Sequence, residues 1–347
     1  MDFDSSRTFD TTSVKSPMYY RPVKIDLFYP SEENPAKPAL TYGDIMDMYE
    51  QRMNYNNSSD SCKKVSAQLI KMFADYLRVD SASKLLNVKT EIFSDVKLPS
   101  QKFPLIVYAS GMNSSSWENP FLYDSLAHHG YVVAAISSVG KFPGYMSGAT
   151  DMEEQVNDIL YTIKKMKTFD FIDSNKIGLL SWSLGGTAIV KTAMISSDVK
   201  CLVSYDGTEI HYFGFDTAWD SQYKQIMKIP PYKPEAITVP YMYLSSEHPK
   251  RVDSIYVFPK FISSKEKYFL KFTNAIHENF SSLPALAKTV DTTLQNIDSG
   301  RSDVITKLTI TFFDQYLKQS NNASTKEMID KLVADKPRFV STDYPRK

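Results

Sequence analysis

Apolar residues cluster in short runs at Val23 to Tyr29, Phe103 to Ala109, Tyr131 to Ile136, Lys176 to Leu180, Cys201 to Tyr205, Pro240 to Leu244 and Tyr268 to Phe272. Several of these runs are apolar at consecutive positions rather than alternate ones, which predicts strands covered on both faces. Between them the period becomes helical. Met152, Val156, Ile159, Leu160, Ile163 and Met166 share one face of Thr150 to Lys167, and Thr150 with Glu153 forms a capping box at its start. Helices are also predicted over Phe121 to Ala127, Thr187 to Ile195 and Ser302 to Leu317, the last packing through Val304, Leu308, Phe312 and Tyr316. Strand and helix in alternation predict an α/β chain with a mostly parallel central sheet and helices on both faces, in a single domain over 1–347.

The segment 39–100 breaks this alternation. Two helical patterns, one presenting Val65, Leu69, Met72, Phe73 and Tyr76, flank the polar loop Asn54 to Ser61, so the segment reads as a helical insertion near the N-terminus. A lid over a site and a decoration that buries the flank of the sheet both fit, because composition does not choose between them. The tail 321–347 carries one helical pattern, Lys326 to Val333, before a proline-punctuated end, and is expected to be peripheral.

Bulk composition mainly excludes. The 347 residues are 42% hydrophobic, enough for a large core, and forty basic residues balance forty acidic ones. That balance offers no basic field for nucleic acid. The apolar runs are far shorter than the roughly 20 residues of a membrane-spanning helix, so a soluble protein without a transmembrane segment is expected. Met1-Asp2-Phe3-Asp4 carries no apolar stretch of a signal peptide, which leaves the compartment open between the cytoplasm and a signal-cleaved periplasmic or secreted route. With only Cys62 and Cys201 there is no disulfide framework and no zinc site to expect, and oligomeric state is not legible.

The chemistry begins at Ser181-Trp182-Ser183-Leu184-Gly185-Gly186, which lies between the strand ending at Leu180 and the helix from Thr187. Strand, tight turn with a serine, then helix is the order of a nucleophile elbow. Its pattern is Gly-x-Ser-x-Gly, with small residues two before and two after the nucleophile because the two backbones nearly touch there. Ser181 replaces the first glycine and is small enough to stand in. Ser183 is then the candidate nucleophile, and it needs a base and an acid that orients the base.

Of the five histidines, His128 and His129 end a helix just before Gly130 and read as caps, while His211 and His248 sit in loops after strands. His277 follows Tyr268 to Phe272 through a short loop, where the base arrives in the chain order serine, acid, histidine. Asp206, directly after Cys201 to Tyr205, and Glu247, after Pro240 to Leu244, compete for the acid, both at carboxyl ends of strands. The abrupt turn Tyr205-Asp206-Gly207 and the short, stiff side chain favour Asp206. Two N–H donors for an oxyanion are expected from Leu184, after the nucleophile, and from Met112 in Ser110-Gly111-Met112-Asn113.

These blocks resemble the platelet-activating-factor acetylhydrolase and dienelactone-hydrolase-related branch of the α/β-hydrolases, over about Tyr20 to Leu317. The similarity rests on Arg21-Pro22-Val23 to Tyr29-Pro30, Phe103 to Met112, Leu126 to Ala135, the elbow, Val203-Ser204-Tyr205-Asp206 and Ile276-His277-Glu278-Asn279-Phe280. The resemblance implies the α/β-hydrolase fold and places the acid one strand earlier than most hydrolases do, at Asp206. The chain departs from the branch at the missing elbow glycine and in having no histidine before Gly111.

The expected reaction is hydrolysis of short-chain carboxylic esters, of the phospholipid sn-2 acetyl type in the resembled branch, by a Ser183-His277-Asp206 triad through an acyl-enzyme. No cofactor and no metal are expected, and the partner is a small-molecule ester. Trp182, Trp117, Tyr212, Phe213 and Phe280 are candidate pocket residues suited to an apolar group. A peptidase or carbohydrate deacetylase would use the same scaffold, and a catalytically silent binding protein is the reading from another class.

Overall fold

The strand segments join into one sheet in the computed structural model, which describes residues 21–31, 37–49, 60–140, 145–146, 149–209, 217–247, 258–290, 299–320, 324–335 and 340–342. In chain order the elements are β1 (Ile25–Phe28), α1 (Tyr42–Tyr49), α2 (Asp60–Tyr76), α3 (Ala82–Leu86), β2 (Phe103–Ala109), α4 (Pro120–His128), β3 (Val132–Ile136), α5 (Ala149–Met166), β4 (Ile172–Trp182) and α6 (Gly185–Ile195). There follow β5 (Val199–Tyr205), α7 (Thr217–Lys228), β6 (Tyr241–Ser245), β7 (Lys267–Phe272), α8 (Leu283–Thr289), α9 (Ser299–Tyr316), α10 (Thr325–Asp335) and β8 (Val340–Thr342). The strand order is β1-β3-β2-β4-β5-β6-β7-β8, parallel from β3 to β7, with antiparallel strands at both edges.

The consecutive apolar positions divide between two cores because neighbouring strand residues face opposite ways. Leu105, Val107 and Ala109 of β2 meet Met152, Val156 and Ile159 of α5 and Ile189 of α6. Ile106 and Tyr108 face the other way, toward Ile45 of α1, Ile70 of α2, Leu126 of α4 and Phe312 of α9. Within the insertion, Tyr42, Ile45, Met46, Ile70, Ala74, Leu77 and Leu85 are therefore part of the sheet's own core. The insertion holds three helices where periodicity predicts two, and its first is capped reciprocally by Thr41 and Asp44. Of its polar loop, residues 54–59 lie outside the described residues, while Asp60 and Ser61 already belong to α2.

The strands differ from expectation mainly where polarity hides them. β4 begins at Ile172, not Lys176, since Asp173, Ser174 and Asn175 continue the strand across a register shift opposite Pro104/Leu105. β8, only three residues long, pairs with Leu270–Phe272, and neither its length nor its composition announces it. The helix α4 ends as predicted: Gly130 has φ +76, its N–H and that of Tyr131 return to Ala127 and Leu126, and His128 and His129 bond the carbonyls of Asp124 and Ser125. Among the described residues no helix is long and apolar enough to cross a membrane.

Candidate active site

The turn from β4 to α6 is as tight as the sequence demands. Ser183 has φ +57, a left-handed conformation that a side chain other than glycine adopts only under strain, and its N–H donates to Tyr205 O at 2.9 Å. A Cβ at Gly185 would stand 2.2 Å from Ala109 O, so the helix starts in contact with the β2 backbone and only glycine fits. Ser181, fully buried and paired in register with Ala109 and Ser204, occupies the place of the missing glycine.

Asp206 ends β5 in a second left-handed turn, at φ +44, and its carboxylate is buried. Its Oδ1 accepts the Ser246 N–H at 2.9 Å, and its Oδ2 accepts the Ser246 hydroxyl at 2.7 Å and lies 2.7 Å from His277 Nδ1. Glu247 does something else: its carboxylate is exposed and accepts the Asn274 N–H at 2.7 Å, tying the loop after β6 to the loop after β7. Trp182 holds the imidazole from the other side, its ring stacked on His277 at 4.6 Å between centroids and its Nε1–H donating to His277 O at 3.2 Å. The structure thus brings His277, Asp206 and the residue preceding Ser183 together. Burial pulls the imidazole pKa down, but the hydrogen bond and charge of Asp206, with the charges of Glu278 and Glu118, outweigh it and hold His277 above its usual value.

The loop after β2 runs past this elbow. A Cβ on Gly111 would come within 3.3 Å of Ser183 Cβ and 3.2 Å of the Trp182 ring, so its backbone lies directly against the elbow. Neither Met112 nor Leu184 uses its N–H in a backbone hydrogen bond among the described residues. Asn113, at φ +58, fixes the far end of the loop through paired bonds to the Met146 backbone at 2.6 and 3.2 Å.

Sequence reasoning did not find Ser246 or Glu118. Ser246 could be suspected only from its place after a strand, and Glu118 bears no motif at all. Glu118 is buried, takes the Gly111 N–H on both oxygens at 3.0 and 3.2 Å, and accepts the Tyr108 hydroxyl at 2.7 Å. Burial pushes its carboxyl up to about 7 against hydrogen bonds from Ser114, Tyr108 and Gly111 and the charge of His277.

Of the candidate pocket side chains among the described residues, only Trp182 stands beside the imidazole and is partly open. Trp117 is packed edge-on against Phe28 at 4.9 Å, and Phe280 is buried against Tyr205 and Phe272. Tyr212 and Phe213 lie outside the described residues. One group of possible metal ligands occurs among the described residues, Glu91, Asp124 and His128, on the solvent side of α4, where the imidazole contacts both carboxylates at 3.3 Å.

No family model matches the chain. Human dipeptidyl peptidase 8 is 26% identical over 141 residues, 36% of this chain, and the mouse protein is equally similar. The match spans only 15% of the human protein's length and 16% of the mouse protein's. Among solved structures, a ferulic acid esterase from Streptomyces cinnamoneus superposes with a TM-score of 0.65 at 17% identity, over 98% of this chain and 94% of that one. An acylaminoacyl peptidase from Pyrococcus horikoshii gives 0.51 at 17% identity, over 67% of this chain and 41% of that one. A sheet parallel from β3 to β7 with helices on both faces, superposing on the esterase over nearly its whole length, shows the fold: the chain has the α/β-hydrolase fold.

Proposed function

We propose that the chain is a serine hydrolase that cleaves carboxylic esters with short acyl groups. The observation that carries this reading is His277, held between Asp206 at 2.7 Å and, at 4.6 Å between centroids, the ring of Trp182, the residue that precedes a serine in left-handed strain. Asp206 fixes the imidazole with its proton on Nδ1, which leaves Nε2 free to take the proton of Ser183 as the hydroxyl attacks the ester carbonyl. The N–H groups of Leu184 and Met112 receive the oxyanion, the alcohol leaves with the proton from His277, and water repeats the sequence on the acyl-enzyme. No step calls for a metal or organic cofactor.

The resemblance of the elbow, acid and histidine blocks to the platelet-activating-factor acetylhydrolase and dienelactone-hydrolase-related branch supports short acyl esters, including the sn-2 acetyl type of phospholipid. A second reading, cleavage of peptides, is favoured by the dipeptidyl peptidase and acylaminoacyl peptidase among the similar proteins. Both are acyl transfers, and fold does not decide between them.

The test is turnover of p-nitrophenyl esters from acetate to octanoate, beside aminoacyl p-nitroanilides, by native protein and Ser183→Ala. Ester hydrolysis that peaks at short chains and vanishes in the variant is the expected result. Faster turnover of anilides would move the substrate class to peptides. A native protein that neither turns over either series nor labels with a fluorophosphonate would defeat the hydrolase reading in favour of a silent binding protein.

A further inference from the structure

Glu118 is a carboxyl group that the reaction above does not use, yet it is buried beside the elbow. Its Oε2 and Ser183 Cβ both lie within 3.5 Å of the point where a Gly111 Cβ would be, so carboxylate, loop and nucleophile share one contact. Both carboxylate oxygens take the Gly111 N–H, which precedes the Met112 N–H by one peptide unit. The carboxylate is supported in turn by Tyr108 from β2 and by Ser114, whose hydroxyl pairs with Tyr49 of α1 at 2.8 Å. A contact from the insertion thus reaches the loop that faces the nucleophile.

We propose that Glu118 is a positioning residue that clamps the Gly111 N–H and thereby aims the Met112 N–H at the oxyanion. A peptide unit is planar, so the bonds from the Gly111 N–H to Glu118 and from Gln155 to Ser110 O at 2.8 Å hold the Ser110–Gly111 peptide in place, and the direction of the Met112 N–H is left to the φ and ψ of Gly111, which is packed against Trp182 and Ser183. Glu118 also faces titratable groups from every side: Tyr108 on β2, Tyr123 on α4 and His277 on the loop after β7, with Tyr49 of α1 beyond Ser114. Its negative charge favours the protonated imidazole, which itself is also influenced by Asp206 and Glu278. The clamp and the charge are separable, since a glutamine can accept the Gly111 N–H but cannot ionise.

The kinetic arm rests on the hydrolase reading. Replacing Glu118 by alanine is expected to lower kcat for a p-nitrophenyl ester about 10- to 100-fold, less than or equal to the loss of a full oxyanion donor. KM should stay within about twofold, because the donor acts in the transition state. Glu118→Gln should return most of kcat and move the acidic limb of the kcat/KM profile to lower pH, a shift that a purely structural role would not produce. Unchanged kcat in Glu118→Ala, or a Glu118→Gln variant that is folded and as slow as Glu118→Ala, would overturn the proposal.

A second arm needs no turnover. In protein labelled with 15N-glycine, the Gly111 amide should be protected from exchange and shift with pH with a midpoint near 7, the value to which burial raises Glu118. That titration should disappear in Glu118→Gln. A Gly111 amide that exchanges freely and ignores pH would refute the clamp whether or not the protein proves to be a hydrolase. Absence of fluorophosphonate labelling with an intact Gly111 titration would instead reject the hydrolase reading alone.

Discussion

Replacing Asp206 by asparagine should nearly abolish hydrolysis, and the hydrogen-bond pattern says how. The Ser246 N–H can only donate, so the oxygen of the new amide must occupy the Oδ1 position, 2.9 Å from that nitrogen. The amide NH2 then stands at the Oδ2 position, 2.7 Å from His277 Nδ1 and from the Ser246 hydroxyl, which can rotate to accept. Two donors cannot face one another, so His277 Nδ1 becomes the acceptor and the imidazole carries its proton on Nε2. In that tautomer it cannot take the proton of Ser183. The penalty for the wrong tautomer is about 10⁴ in kcat, which corresponds to roughly 5.5 kcal/mol in the barrier. The assay is p-nitrophenyl acetate turnover and the rate of fluorophosphonate labelling, with urea unfolding to show that the variant is folded. Glu247→Gln is the control: among the described residues its carboxylate receives only the Asn274 N–H, so kcat should stay within about threefold, as for a surface hydrogen bond worth under about 1 kcal/mol. A folded Asp206→Asn that keeps more than a tenth of the native kcat, or a Glu247→Gln that loses as much as Asp206→Asn, would refute the assignment.

The base must be neutral to act, and His277 is held above the ordinary histidine value, so kcat/KM should rise with pH through a midpoint above 6.5. By the same shift, the imidazole contributes stability fully below about 6.5, the unfolded value, and loses it as pH rises through the folded one, which a urea titration across that window would read. Gly185→Ala should cost about 3 kcal/mol, because its Cβ meets the Ala109 carbonyl at 2.2 Å and backbone must separate; an unchanged urea midpoint would count against the contact. Arg21→Ala should destabilise by about 3 to 5 kcal/mol, since it strips Asp158, buried and held at 2.8 and 2.9 Å, of its fork of donors. Activity per folded molecule should survive that change, and a stability within about 1 kcal/mol of native would contradict it.

How legible the site was depends on how local each constraint is. Ser183 is written into its neighbours: a strand, two glycines and a helix within a few residues leave the turn little choice, and Ser181 satisfies the same demand for a small side chain without the expected letter. That His277 would lie near the carboxyl ends of the strands was legible from its order after β7; its contact with Asp206 is what the structure adds. Asp206 was favoured over Glu247 by its abrupt turn and short side chain, but both follow parallel strands, and which carboxylate meets the imidazole depends on the direction in which the chain turns next. Asp206 turns left-handed at φ +44 and points its carboxylate at the imidazole, while Glu247 closes a loop to Asn274.

Periodicity by itself determined the layered α/β sheet, since burial on both faces of a parallel strand requires a continuous apolar run and burial of a helix requires a stripe. Those are properties of neighbouring residues and survive without knowing the fold. Only the tertiary structure decided that Glu118, more than sixty residues before Ser183 in the chain, grips the Gly111 N–H beside it, that the insertion's Tyr49 reaches the same loop, and that the three-residue strand β8 closes the sheet. Such contacts join segments far apart in the chain, where the identity of a buried polar group is set by what the fold brings against it and leaves no period or motif to read.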